Sequence, residues 1–233
     1  MDSTYVVMNG PHGDAASTCR FLYDCLEELA AWSAAHPTHQ PLVLTLGPSR
    51  GGAFGMVDTL FHLHELLRAY LGDRLFTPDD LRRDGETVRD ALLARGWPAV
   101  SALRGRFIVV LNDRGEVRQS YLDDAFGLAD DPEDLMFVLA DDPGDPYAAF
   151  FEYPAITDDV VDEVAGLIAQ GFLVRTFVDD PANRARAIAM GAHFLSTRFP
   201  DDTLPRDALH GWPVACNPVT AEEGCRPQWF GSE

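Results

Sequence analysis

Short apolar runs alternate with amphipathic helical stretches along most of this 233-residue chain. That alternation constrains the fold more than any other feature, because strands that alternate with helices assemble into a mostly parallel, helix-covered sheet. A β-rich run at 5–8 ends at Asn9-Gly10-Pro11. Ser17 and Thr18 then offer N-caps for a helix reaching about Ala35, since both hydroxyls can accept from free amides of a first turn. Within it Leu22, Cys25, Leu26, Leu29 and Trp32 recur every three or four residues and predict one buried face. A strand is expected at 42–46, a glycine-rich loop from Gly47 to Gly55, and a second helix with Val57, Leu60, Phe61, His64, Leu67 and Leu71 inward. Further strands are expected at 107–111, 135–139, 172–174 and 193–195, with helices at 158–169 and 181–190 separating the last of them. The resulting six strands are two short of an eight-stranded barrel and enough for a doubly wound sheet. In either architecture ligands sit at the C-terminal ends of the strands.

Composition narrows the partners. Apolar residues make up 46% of the chain, enough to fill the core of one α/β domain. A net charge of −19 repels phosphate backbones and anionic bilayers, so nucleic acid is not an expected partner. All 18 basic residues are Arg, which excludes any mechanism that needs a lysine. No apolar run reaches the length of a transmembrane helix, and residues 1–14 show no signal-peptide pattern. Four cysteines fall in two close pairs, Cys19 with Cys25 and Cys216 with Cys225, neither with the spacing of a zinc ribbon. Two local disulfides and buried free thiols both fit that spacing. Six residues of continuous helix would hold Cys19 and Cys25 roughly 9 Å apart, so a bridge there requires Cys19 to lie before the helix.

Three groups of segments carry a family resemblance: STCRFLYDCLEELAAWSAAHPTHQPL at 17–42; DRLFTPDDLR at 73–82 with ALLARGWPAVSALRGRFIVVLND at 91–113; and GFLVRT at 171–176 with MGAHFLSTRFP at 190–200 and CNPVTAEEGC at 216–225. In order and spacing they resemble the bacterial calcium-dependent phosphoinositide-specific phospholipase C family. That resemblance implies an α/β fold of the TIM type, a PLC-like phosphodiesterase barrel, here partial with about six parallel strands. It further implies one domain over residues 1–233 without the family's first two strands, ending in an ordered tail at 199–233. The family is usually secreted and uses calcium, two histidines, carboxylates and a cation to attack phosphorus.

Carried over position by position, the resemblance implies a depleted site. Asn9 stands where the family has its second catalytic histidine, and Asn cannot exchange a proton near neutral pH. Gly47 and Ser49 replace a Glu and a Lys, Asn112 replaces an Asp, and Arg198 replaces the Asp of a Ser-Thr-Asp motif. Arg175 and Thr176 keep the family's identity. The expectation is therefore a catalytically impaired member that needs no cofactor, with Asn9, Arg50 and Arg175 as ligand-binding candidates. Its expected ligand is an inositol phosphate or a phosphoinositide headgroup, and a partner chain is expected at the open edge of the barrel. The alternatives are an active phosphodiesterase using the substituted residues, or a binding pseudoenzyme. Other readings are weaker: His62 and His64 lie two apart and so on different helix faces, and the acidic runs lack EF-hand spacing.

CNPVTAEEGC carries a proline and enough residues to turn back on itself. Non-reducing peptide mapping should recover Cys216 joined to Cys225, and two titratable thiols there would contradict this.

Overall fold

The computed structural model describes residues 5–7, 19–48, 56–123 and 134–197. Its elements run α1 (Leu22–Ala35), β1 (Leu42–Leu46), α2 (Met56–Tyr70), α3 (Pro78–Leu81), α4 (Val88–Arg95), β2 (Phe107–Leu111), α5 (Glu116–Leu122), β3 (Phe137–Val138), β4 (Phe150–Tyr153), α6 (Val161–Ala169), β5 (Leu173–Phe177), α7 (Pro181–Met190) and β6 (Phe194–Ser196). Two compact units divide the chain: Met1–Asp80 with Ala102–Val138, and Leu81–Ser101 with Leu139–Glu233.

In the first unit β2 lies between β1 and β3 and is parallel to both, with Leu42 opposite Phe107 and Val110 opposite Phe137. All five β2 residues are buried. A central parallel strand covered on both faces must be apolar on both, which is why this segment is an unbroken hydrophobic run. β1 is an edge strand of this sheet and is half-buried along its whole length.

The helices of this unit bury most of the faces expected of them, with single positions exchanged. α2 buries Leu60, Leu63, His64 and Leu67, and Leu71 just beyond it is buried too, while Phe61 is 44% exposed. Apolar residues at both 60 and 61 define two overlapping stripes about 100° apart, and the leucine stripe is the one that packs. In α1 the buried residues are Leu26 and Ser33, so Trp32 stands 44% exposed, stacked on His36 with ring centroids 4.7 Å apart. Arg74 donates to the carbonyls of Ala30 in α1 (2.7 Å) and Tyr70 at the end of α2 (3.1 Å), joining two helices through groups of partial negative charge. Tyr121 of α5 is buried; its hydroxyl donates to the Met136 carbonyl (3.1 Å) and accepts from the Met136 amide (3.0 Å), which fixes the entry to β3.

In the second unit β5 lies between β4 and β6, again all parallel, with Phe150 opposite Leu173 and Arg175 opposite Phe194. α6 and α7 both pack on β5. Val174 and Thr176 are fully buried, whereas Leu173, Arg175 and Phe177 on the other face are half-buried. Caps set the helix ends: Thr87 accepts from the Asp90 amide at the start of α4, and Asp180 from the Asn183 amide at the start of α7. Gly191 closes α7 in the left-handed region that favours glycine. Arg95 forks onto Glu86 at 2.9 and 2.6 Å, and those hydrogen bonds hold the Glu86 carboxyl down to about 2.

Six strands are present among the described residues, but not the six expected. β4 was not anticipated: its run is short, stops at Pro154 and follows a turn-rich stretch rather than a helix. The 5–8 run contributes instead a single antiparallel bridge, Val6 to Phe21. α1 starts at Leu22 and not behind Ser17-Thr18, because Cys19 and Cys25 are bridged with their Cα atoms 5.4 Å apart. That separation is too short for six residues of helix.

Gly105 makes the turn into β2 with φ 74°, and its amide donates to the His39 carbonyl at 2.9 Å. A Cβ there would come within 2.5 Å of the Pro37 carbonyl oxygen, a backbone atom with little room to move. Gly105→Ala should therefore lower unfolding stability by about 2 kcal/mol or more in denaturant titration, and an unchanged midpoint would refute this account of the turn.

Candidate functional site at the strand ends

In the first unit the polar residues of interest follow the C-terminal ends of parallel strands, and in the second they lie along β4 and β5 and at the end of β6. Asn112 follows β2 and donates its amide to the Leu46 carbonyl at 2.6 Å, which aligns the ends of β1 and β2. A Cβ on Gly47 would lie 3.4 Å from the Asn112 carbonyl oxygen. Two of the site positions expected from the sequence are thus side by side, and between them they offer one side-chain amide and no charge. Asp113, the nearest carboxylate in sequence, is committed to α5: its Oδ1 accepts from the amides of Gly115 (2.8 Å) and Arg118 (2.9 Å).

Arg175 occupies the half-buried face of β5. Parallel register sets Glu152 of β4 beside it, and Arg175 Nη1 meets Glu152 Oε2 at 2.6 Å. Ser196 lies two residues beyond Arg175's partner Phe194, on the same face by strand alternation. It accepts from Arg175 Nε at 2.7 Å. The guanidinium also covers the Phe177 ring at 5.1 Å. Three adjacent strands therefore hold one cation in fixed orientation, with its charge balanced by Glu152. Next to it Thr197 donates to Asp179 (3.0 Å), and Tyr153 donates to Glu163 of α6 (2.6 Å).

Glu152 was not singled out in the sequence, and Ser196 entered it only as the first residue of the motif that ends in Arg198. The retained Arg175 was a signal, but its partners are 23 and 21 residues away, and only the strand register brings them together. Asn9, Ser49, Arg50, Arg198, Cys216 and Cys225 lie outside the described residues. His64 is buried, and its ring meets Tyr121 edge-on at 5.6 Å. His62 stacks on Tyr5 at 5.8 Å. The acidic loops are locally engaged where described: Asp142 accepts from the Gly144 amide (2.6 Å), and Asp123 from Gln119 (2.6 Å).

Calcium takes six to eight oxygen ligands, several of them carboxylates. The described strand ends do not fit it: Gly47 has no side chain, Asn112 offers at most one amide oxygen, and one Asp113 oxygen is already shared by two amides. Among the described residues no group of three or more His, Cys, Asp or Glu could hold a metal ion, and no helix is long and apolar enough to cross a membrane.

Parallel strands alternating with helices, in two three-stranded sheets, define an α/β protein. The family model described as "Phosphoinositide phospholipase C, Ca2+-dependent" matches residues 5–218, and the chain belongs to that family. Its structure is similar to a calcium-dependent phosphatidylinositol-specific phospholipase C from Streptomyces antibioticus, with TM-score 0.60 and 20% identity over 82% of this chain and 74% of that one. A calcium-dependent phosphoinositol-specific phospholipase C from a Gram-negative Pseudomonas species, described in apo form and as a myoinositol complex, also gives TM-score 0.60 and 20% identity, over 79% of this chain and 68% of that one. No match was found among curated proteins. At these identities the likeness establishes the fold, that of a partial (β/α) barrel of the PLC-like kind.

Thr176, which the sequence resemblance pairs with Arg175, is fully buried, and its hydroxyl has no hydrogen-bond partner among the described residues. An unpaired buried hydroxyl costs about 1–3 kcal/mol. Thr176→Val should therefore leave stability unchanged or raise it by about 1 kcal/mol, measured by thermal and denaturant unfolding. A loss of more than about 1 kcal/mol would show that the hydroxyl is in use.

Proposed function

We propose that this chain is a phosphatidylinositol-specific phospholipase C-like protein that binds an inositol phosphate or phosphoinositide headgroup at its strand ends, and that it is catalytically impaired and needs no calcium. The observation that carries the reading is the juxtaposition of Gly47 and Asn112 at the ends of β1 and β2. These positions supply neither a proton-transfer group nor a carboxylate for a metal. Arg175 supports the binding half of the reading. A guanidinium is a planar fork suited to phosphate oxygens, and Glu152 and Ser196 engage Nη1 and Nε, leaving Nη2 without a partner among the described residues. Asn9 and Arg50 are the further ligand candidates from the sequence. β1, the half-buried edge strand, is where a partner chain would add to the sheet.

The rate consequence follows from how many roles are missing. Removing one general acid or base costs about 10²- to 10⁴-fold, and losing electrostatic stabilisation about 10²- to 10³-fold. Such factors do not multiply when the groups act as a unit, so the residual rate should approach that of binding alone. Purified protein incubated with phosphatidylinositol and millimolar calcium should release no inositol phosphate above a no-enzyme control. Calcium-dependent turnover that disappears in Asn9→Ala or Arg175→Ala would overturn the proposal in favour of an active phosphodiesterase using substituted residues.

A further inference from the structure

The start of α1 is set by a covalent bond rather than by a cap. Its N-cap residue, Phe21, is extended (φ −114°, ψ 149°) and makes no side-chain capping bond. Instead, residues 20–22 pair antiparallel with residues 5–7. Val7 donates to the Arg20 carbonyl and Leu22 to the Tyr5 carbonyl, each at 2.9 Å, and Val6 bridges Phe21. This extended stretch is what brings the Cα atoms of Cys19 and Cys25 to 5.4 Å. A helix running through both residues would hold them roughly 9 Å apart, beyond the reach of a disulfide. Bridge and longer helix are therefore mutually exclusive. The sequence favours the longer helix, because Ser17 and Thr18 are strong N-cap residues placed one turn upstream.

We propose that the Cys19–Cys25 bond is a redox switch of helix register: oxidised, it holds α1 back to Leu22 and pairs residues 20–22 with 5–7; reduced, α1 extends through Cys19 and releases that pairing. The bond is reachable. Both cysteines are partly exposed, and Cys19 lines an open cleft of about 380 Å³ with Arg20, Asp24, Glu27, Glu28 and Ala31. Three carboxylates in that lining disfavour an anionic reductant and leave a neutral dithiol as the suitable class. One thiolate of the dithiol attacks a cysteine sulfur and frees the other cysteine as a thiol; the second thiolate then displaces the remaining cysteine. Two electrons and two protons pass to the protein, and the reductant leaves as its own disulfide. Releasing residues 5–7 frees the stretch that leads into Asn9, so the switch would reach the candidate ligand site if the reading of that site is right. Its structural half does not depend on that reading.

The test uses the full chain carrying Cys216→Ser and Cys225→Ser, so that dithiothreitol acts on one cysteine pair only. The oxidised and reduced forms are compared by backbone NMR and amide exchange. On reduction, the Cα shifts of Arg20 and Phe21 should move from extended to helical values, and the Val7 amide should exchange at least tenfold faster. The amides of Val109 and Val110 in β2 should keep their protection. Two results would overturn the proposal. One is extended shifts at Arg20 and Phe21 with a protected Val7 amide after reduction; the other is loss of protection throughout the sheet, which would make the bond a global staple rather than a local switch.

Discussion

Each unit is organised around a strand hydrogen-bonded along both edges, β2 in one and β5 in the other. In a parallel sheet the central strand has nowhere to put a polar side chain unless that face is left partly open or the group is paired. β2 meets the condition with five buried apolar residues. β5 meets it differently, burying Val174 and Thr176 on one face and keeping Leu173, Arg175 and Phe177 half-buried on the other. The rest follows from register: once β2 is fixed, Asn112 must stand beside Gly47, and once β5 is fixed, Arg175 must meet Glu152 and Ser196.

Under the proposed function, that geometry separates binding from catalysis. A guanidinium held by a carboxylate and a hydroxyl across three strands loses little further freedom when a ligand arrives. It also presents less net charge than a free arginine, because Glu152 partly cancels it. On a chain of net charge −19, an anionic headgroup must find locally oriented donors rather than a broad positive field. Phosphodiester cleavage asks for more: a base, an acid and stabilisation of charge developing at phosphorus. Gly47 and Asn112 provide neither base nor acid, and one neutral side-chain amide is all they offer for the third role.

Much of the fold was legible in the sequence because apolar periodicity reports burial directly. β1 and β2 fall where the continuous apolar runs are, and α6 and α7 fall where helices were expected between the last strands. What stayed hidden depended on tertiary choice. Phe61 and Leu63 are equally apolar, and only packing decides that Leu63 goes inward; Trp32 lost its place to Ser33 in the same way. β4 was missed because its four residues carry little periodic signal. The family, and Arg175 as a residue of interest, could be named from motif spacing. The partners that orient Arg175 could not, since Glu152 and Ser196 become neighbours only through strand register. The start of α1 was displaced by a covalent constraint that overrides the caps in the sequence.

In the proposed function a headgroup site persists without the calcium centre. Calorimetric titration of the intact chain with inositol 1-phosphate, with and without millimolar calcium, tests it directly. Two ligands that share no coupling free energy do not alter one another's affinity, so the account predicts saturable binding with the same affinity in both conditions, weakened about tenfold or more by Arg175→Ala. Binding that appears only with calcium, or no binding under either condition, would contradict it.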